Sequence, residues 1–383
     1  MSYDFDTPID RRNTDSLKWD IYRGRDVLPM WVADMDFASP PEVIAALKKR
    51  VDHGVFGYTL TPVGLKNTII ERLKTRHGWE ARPEWIVWLP GLVTGLNVAC
   101  RAVASPKDAV LTTTPAYPPF LSAPALAGCE LITVDLPVRN GMYQIDFEDL
   151  ESAVTPRTRL FILCNPHNPT GRVFTRSELT RLAEICLSRD IIICSDEIHC
   201  DLILDIGNRH ISMAALDQGI AQRTITLLSP SKTFNLPGLG CSLAVIPDEG
   251  LRKRFTDVMQ GIVPHVNTLG LTAALAAYRD GEDWRLALID YLRHNRNLVE
   301  AFVERTPGLA MSHVEATYLA WIDARDLGVK DACAFFDQAG VGLSDGKDFG
   351  GPGFVRLNFG CPRATLQRAL ERMAQAITGL KRG

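Results

Sequence analysis

Along the chain, short runs that are almost wholly apolar alternate with stretches of helical periodicity. The runs at 159–164 (R-L-F-I-L-C), 191–195 (I-I-I-C-S) and 224–229 (T-I-T-L-L-S) contain few polar positions. Such runs read as strands buried on both faces, which requires helices on both sides of the sheet. Further strand candidates lie at 85–89 (W-I-V-W-L), 109–112, 131–135 and 240–246. An apolar helix follows Gly91 and runs to about Val103, and Thr175 with Glu178 forms a capping box for a helix over 176–188. Strand alternating with helix predicts an α/β domain with a mostly parallel sheet over 50–285. A long helical stretch around 283–305 leaves that sheet. Residues 310–383 mix strand and helix patterns, so 1–49 and 286–383 are expected to form a smaller α+β domain.

Composition narrows the function. The chain has 383 residues, 46% hydrophobic and 23% charged, enough for a large core. Its net charge of -3 gives no electrostatic footprint for nucleic acid or an anionic membrane. No apolar stretch approaches the roughly 20 residues that span a bilayer, and residues 1–30 lack the apolar segment of a secretion signal. The nine cysteines contain no C-x-x-C pair, and several (Cys164, Cys186, Cys194, Cys241) fall in apolar runs. Buried, reduced thiols in a cytoplasmic protein are the expectation. Cys194, His199 and Cys200 are close in sequence but match no common zinc spacing, so no metal site is expected.

In open α/β sheets, ligands bind beyond the carboxyl ends of the strands. After 85–89 come Leu92, Val93 and Thr94, whose backbone N–H groups are free at a helix start. After 109–112 comes Tyr117. After 159–164 comes Asn168, after 191–195 come Asp196 and His199, and after 224–229 come Ser229, Ser231 and Lys232. Each has a bland reading too: Asp196 as a helix cap, Asn168 in a turn, Tyr117 in core packing. Lys232 is the hardest to dismiss, because an amine at a buried strand end needs a partner. An amine, a carboxylate, an aromatic ring and an anion cradle together match the needs of pyridoxal phosphate (PLP). Its aldehyde condenses with a lysine, its ring nitrogen wants an acid, and its phosphate wants backbone N–H groups and hydroxyls.

The motifs S-P-S-K-T-F-N, N-P-H-N-P-T-G, S-D-E-I-H and P-A-Y-P-P-F resemble those of the fold-type I PLP enzymes, the class I/II aminotransferase superfamily. They occur in the family's order and the resemblance covers essentially the whole chain. Within it, M-W-V-A-D-M-D-F (30–37), F-G-Y-T (56–59) and D-E-I-H-C-D resemble the MalY/PatB-type branch of cystathionine β-lyases and C–S lyases. The resemblance implies that Lys232 carries PLP, Asp196 partners the ring nitrogen, and Asn168 and His199 lie at the ring hydroxyl. It implies that Tyr117 stacks on the ring, and that Leu92, Val93, Thr94, Ser229 and Ser231 contact the phosphate. Tyr58 would reach the phosphate of the neighbouring subunit of a homodimer. Arg356, in V-R-L-N-F-G, would grip the substrate carboxylate, and Trp31, Ala33 and Asp34 would lie over the substrate. One departure is that many aminotransferases place an arginine eight or nine residues after the lysine, where this chain has Gly240 and Cys241.

The implied reaction is β-elimination from L-cystathionine or a related cysteine thioether, giving a thiol, pyruvate and ammonia, with Lys232 as general base. An aminotransferase shares every cofactor residue and stays open as an alternative. So does a regulatory, protein-binding role on the same scaffold.

Overall fold

The computed structural model describes residues 3–380. Seven strands form the central sheet: β1 (Ile86–Leu89), β2 (Ala109–Thr114), β3 (Glu130–Asp135), β4 (Thr158–Cys164), β5 (Ile192–Asp196), β6 (Thr224–Leu228) and β7 (Ser242–Val245). Their order across the sheet is β1-β7-β6-β5-β4-β2-β3. Only β7 opposes its neighbours; the other pairings are parallel. The expected mostly parallel α/β sheet is therefore present. β7 begins later than its apolar run because Gly240 takes a left-handed turn (φ 56°).

Period-2 alternation places the strand side chains in two cores. Leu160 and Ile162 of β4, with Ile192 and Cys194 of β5, pack against α1 (Leu92–Val103) and helix Glu249–Met259. Phe161, Leu163 and Ile193 face the other way, onto Leu179, Leu182 and Cys186 of α2 (Arg176–Ser188). This is why the runs showed no polar face. α1 lies tight on the sheet: a Cβ at Gly95 would fall 2.9 Å from a Leu89 methyl. The Thr175–Glu178 capping box starts α2, with Thr175 N donating to Glu178 Oε2 at 2.7 Å.

A 23-residue helix, α3 (Glu282–Glu304), leads away from the large sheet. A second, antiparallel sheet follows, built from β8 (Ala310–Met311), β9 (Leu319–Asp323), β10 (Ser344–Asp345) and β11 (Phe354–Asn358) in the order β8-β9-β11-β10. The amino-terminal part of the chain joins this side, since Leu28–Pro29 pairs with Val341–Gly342. Residues 30–36 then run beside β11, with Asn358 N donating to Met30 O and Asp36 N to Gly360 O, both at 2.9 Å. A buried charge knot fixes them from below. The Lys18 amine, fully buried, donates to Asp36 at 2.9 Å, while Arg11 bridges Asp34 and Asp36 at 2.7 Å each. Burial alone would raise the Asp36 carboxyl, but Lys18, Trp19 and Arg11 hold it below the usual range. Among the described residues, no helix is long and apolar enough to cross a membrane.

Candidate active site

The carboxyl ends of the parallel strands open into a cavity of about 300 Å³, closed on its far side by β11 and by residues 32–33. Asp196 ends β5 and is buried, with Oδ1 accepting from Ile198 N at 3.1 Å. Burial raises its carboxyl to about 7; Glu197 adds to the rise, and the Ile198 N–H and Lys232 oppose it. Such a carboxyl is poised to ionise against a cation placed beside it. His199, three residues on, is buried too. Burial, then the charges of Lys232 and Arg356, lower it to about 3, so its ring is neutral.

Lys232 stands in the turn beyond β6. Its Nζ donates to Ala33 O at 2.6 Å. Burial and the Arg356 charge lower the amine to about 8, against the pull of Asp34 and Asp196. Arg356 projects from β11 and is buried, its Cζ 4.6 Å from the Phe349 ring centre. Nη1 donates to Asn168 Oδ1 at 3.0 Å and Nη2 to Trp31 O at 3.1 Å. That contact fixes which end of the Asn168 amide points at Arg356 and leaves Nδ2 without a protein partner among the described residues.

Helix α1 starts at the cavity, and its N-cap, Gly91, supplies no side-chain cap. A Cβ at Gly91 would meet nothing within 4 Å. The N–H groups of Leu92, Val93 and Thr94 are thus orphan donors beside open space, with the positive end of the helix dipole behind them. Tyr117 caps the helix Pro118–Leu126 and lines the same cavity.

The structure therefore brings Leu92, Val93, Thr94, Tyr117, Asn168, Asp196, His199, Ser231, Lys232, Arg356 and Ala33 to one cavity. It does not bring the rest there. The Ser229 hydroxyl donates to Cys241 O at 2.9 Å and accepts from Ser231 N at 3.1 Å, so it ties the turn together from behind the lining. Trp31 meets the site through its carbonyl on Arg356, and Asp34 pairs with Arg11 at 2.7 Å. Tyr58 lies fully exposed on a stretch without helix or strand and away from its own chain's cavity. Sequence reasoning missed Cys164 and Ile198, which line the cavity, and Tyr318, Ser344 and Asn358, which hold its wall. Cys164 ends β4 and Ile198 follows β5, so both were within reach of the strand-end rule; Tyr318, Ser344 and Asn358 lie in small-sheet stretches with no comparable signal. Cys194, His199 and Cys200 do not gather as ligands. His77, Cys200 and Asp201 approach within 4.8 Å, but Arg72 (2.9 Å) and Arg76 (3.2 Å) already hold the Asp201 carboxylate.

These residues fit PLP. Among the described residues, Arg356 Nε and His199 Nδ1 are buried polar atoms lacking a partner, Asp196 has no cation in direct contact, and the helix start has no side-chain cap. A flat, anionic group with a basic ring nitrogen and a carboxylate-bearing adduct satisfies these groups together.

The chain is 41% identical to cystathionine β-lyase PatB of Bacillus subtilis (strain 168), covering 98% of this chain and 100% of that protein. It is 32% identical to protein MalY of Escherichia coli (strain K12), over 99% of this chain and 100% of that one. Its fold superposes on the crystal structure of OvoB with a TM-score of 0.96 at 48% identity, covering 98% of this chain and 99% of that chain. The PLP-bound C–S lyase from Staphylococcus hominis gives 0.93 at 34%, with 98% of each chain covered. The aminotransferase class I and II profile matches residues 25–373, and the chain belongs to that family.

Proposed function

We propose that this protein is a PLP-dependent carbon–sulfur β-lyase acting on L-cystathionine or a related cysteine thioether. The observation that carries the reading is the meeting of Lys232, Asp196, Asn168 and Arg356 at one cavity. In it Lys232 would hold the cofactor covalently, Asp196 would partner its ring nitrogen, and Asn168 Nδ2 with His199 would serve its ring hydroxyl. Tyr117 would pack on the ring, and the α1 N–H groups with Ser231 would take the phosphate. Bound PLP supplies an electron sink for charge developing at the substrate α-carbon.

The chain's residues do the rest. Arg356 receives the α-carboxylate, since a guanidinium offers paired donors matched to two oxygens. Asp196 stays ionised opposite a cationic ring nitrogen, which keeps that positive charge in place. The Lys232 amine, with its affinity lowered to about 8, takes the α-proton. A base with that value is neutral in about a tenth to a fifth of molecules near physiological pH, far more than an ordinary lysine, and still holds a proton once it has one. The electron pair freed at Cα forms a Cα–Cβ double bond as the Cβ–S bond breaks, and the sulfur leaves as a thiolate that is then protonated. Water hydrolyses the three-carbon remainder to pyruvate and ammonia.

The active unit in this reading is a homodimer. Val55, Phe56, Tyr58, Leu60 and Val63 form an exposed apolar strap that nothing in its own chain covers. A second copy would cover it and bring Tyr58 to the neighbouring phosphate site. The division into a large domain (50–285) and a small one (1–49 with 286–383) belongs to the same reading, supported by the two separate sheets. So does a cytoplasmic location, supported by nine free cysteines.

The test is purified protein with PLP and L-cystathionine. Pyruvate and thiol in equal amounts, with no added keto acid, are expected. No pyruvate, but amino transfer to an added keto acid, would overturn the reading.

A further inference from the structure

One wall of the cavity is held in a way that none of the roles above explains. Ala33 O accepts two hydrogen bonds, from Lys232 Nζ at 2.6 Å and from the Tyr318 hydroxyl at 3.0 Å. Asn358 Nδ2 donates to both flanking carbonyls, Val32 O and Asp34 O, at 2.7 Å each. The Ala33 peptide is thus clamped on both sides and aimed at Lys232. Tyr318 is completely buried, its ring edge-on to His199 at 6.2 Å.

Tyr318 is delivered by a strained turn. Thr317 is a buried β-branched residue in the left-handed region, φ 74°, which such side chains rarely adopt. Three bonds hold it there: Ala316 N to Gly171 O (3.0 Å), Thr317 N to Leu202 O (2.9 Å) and Leu319 N to Thr317 Oγ1 (3.1 Å). Strain of this kind persists where surroundings over-determine it, often at functional sites. Here the turn aims a hydroxyl at the carbonyl that Lys232 also uses.

We propose that Ala33 O is the station of the Lys232 amine whenever that amine is not bonded to the cofactor, and that Tyr318 is a positioning residue which fixes this carbonyl and limits how strongly it holds an ammonium. A carbonyl has two lone pairs, and a donor already on one weakens its acceptance of a second. With Tyr318 in place, the amine that has taken a proton is held near the substrate but not trapped. The other groups facing Lys232 are Arg356 from β11, Asp34 from the overlying segment, and Asp196 and His199 from the end of β5. None of them touches Ala33 O. The role assigned to Tyr318 rests on Lys232 being the base.

The test is Tyr318→Phe, which removes the hydroxyl and keeps the ring. Lys232 would be labelled in cofactor-stripped full-length protein with trace acetic anhydride from about pH 6 to about pH 10, the range of the amine, and quantified by peptide mass spectrometry. The midpoint is expected to rise by about half a pH unit, because the carbonyl becomes a stronger acceptor for the ammonium. In the PLP-loaded enzyme, the acid limb of kcat should move up by a similar amount while KM on the plateau stays within about twofold. A merely structural Tyr318 would lower the melting temperature and leave the labelling midpoint and the acid limb in place. An unchanged or lowered labelling midpoint overturns the assignment. Labelling needs no turnover, so failure of the lyase reading and failure of this one are distinguishable.

Discussion

Replacing Arg356 with lysine tests the substrate grip most directly, because it keeps the charge and removes the geometry. The guanidinium now donates to Asn168 Oδ1, Trp31 O and Ser344 Oγ, at 3.0, 3.1 and 3.3 Å, and keeps a buried Nε with no partner. A lysine amine cannot serve the wall and present two parallel donors to a carboxylate as well. Losing one charge-assisted hydrogen bond to the substrate is about 1.5–3 kcal/mol. At about 1.36 kcal/mol per factor of ten, kcat/KM should fall roughly 10- to 150-fold. The loss should appear mainly in KM, because the carboxylate is held before and during the reaction. The Asn168 amide also loses its fixed donor, so the spectrum of the bound cofactor should shift. The assay is pyruvate formation coupled to NADH oxidation by lactate dehydrogenase, on enzyme saturated with PLP. A kcat/KM within about threefold of the parent, with cofactor fully bound, would refute the role of Arg356.

Lys232→Ala should lose turnover by more than about a thousandfold, together with the visible absorbance of the lysine-linked cofactor; a variant retaining both would remove Lys232 from its role. Tyr58→Ala and Lys232→Ala, each inactive alone, should recover about a quarter of parental activity when unfolded and refolded together, since half the dimers would carry one intact site of two; no recovery would mean that Tyr58 serves its own chain. His313 is held at about 9 by its bond to Glu300 and by Asp205. Its folded-state affinity for a proton is raised, so its contribution to stability is complete below about pH 6.5 and lost as pH rises towards 9. The urea midpoint of His313→Gln should therefore lie below the parent's at pH 6 and converge with it above pH 9; a constant gap would refute this.

The large sheet and its strand ends were legible because burial on both faces leaves few polar positions in β4, β5 and β6. A polar residue just past such a run then stands out, and Asn168, Asp196, His199 and Lys232 were found that way. Arg356 was not, since it lies in the middle of a small-sheet strand and enters the cavity from the opposite wall; only family resemblance pointed to it. Ser229 satisfied the strand-end rule and still fell behind the lining, because its hydroxyl found Cys241 O first. Sequence position cannot tell a hydroxyl that faces a ligand from one that closes a turn. Tyr58 lies beyond what one chain can place. Tyr318 precedes an apolar strand and Asn358 lies between Leu357 and Phe359, so both look like core, which they are, apart from the single polar group each aims at 32–34.

That segment shows why site and scaffold are hard to separate here. A stretch of irregular backbone between two sheets must find donors for its carbonyls. Trp31 O takes Arg356 and Ser344, Val32 O takes Asn358, and Ala33 O takes Lys232 and Tyr318. Asp34 O takes Asn358 and Lys18, and Met35 O takes Arg11 and Asn235. Two of these donors, Lys232 and Arg356, are also the groups assigned to proton transfer and carboxylate binding. Lys232 is a structural donor whenever it is not bonded to the cofactor, and Arg356 until substrate arrives, which spares a buried amine and guanidinium from standing unpaired. When the cofactor takes Lys232 and a substrate takes Arg356, the 31–35 backbone keeps Ser344, Asn358, Tyr318, Lys18, Arg11 and Asn235. The wall can therefore yield its two reactive donors without losing its place, and a substrate carboxylate must compete with Trp31 O for Arg356. Affinity for a carboxylate at this site is a difference between two acceptors, so a variant that withdraws Trp31 O from Arg356 should bind substrate more tightly while holding the wall less well.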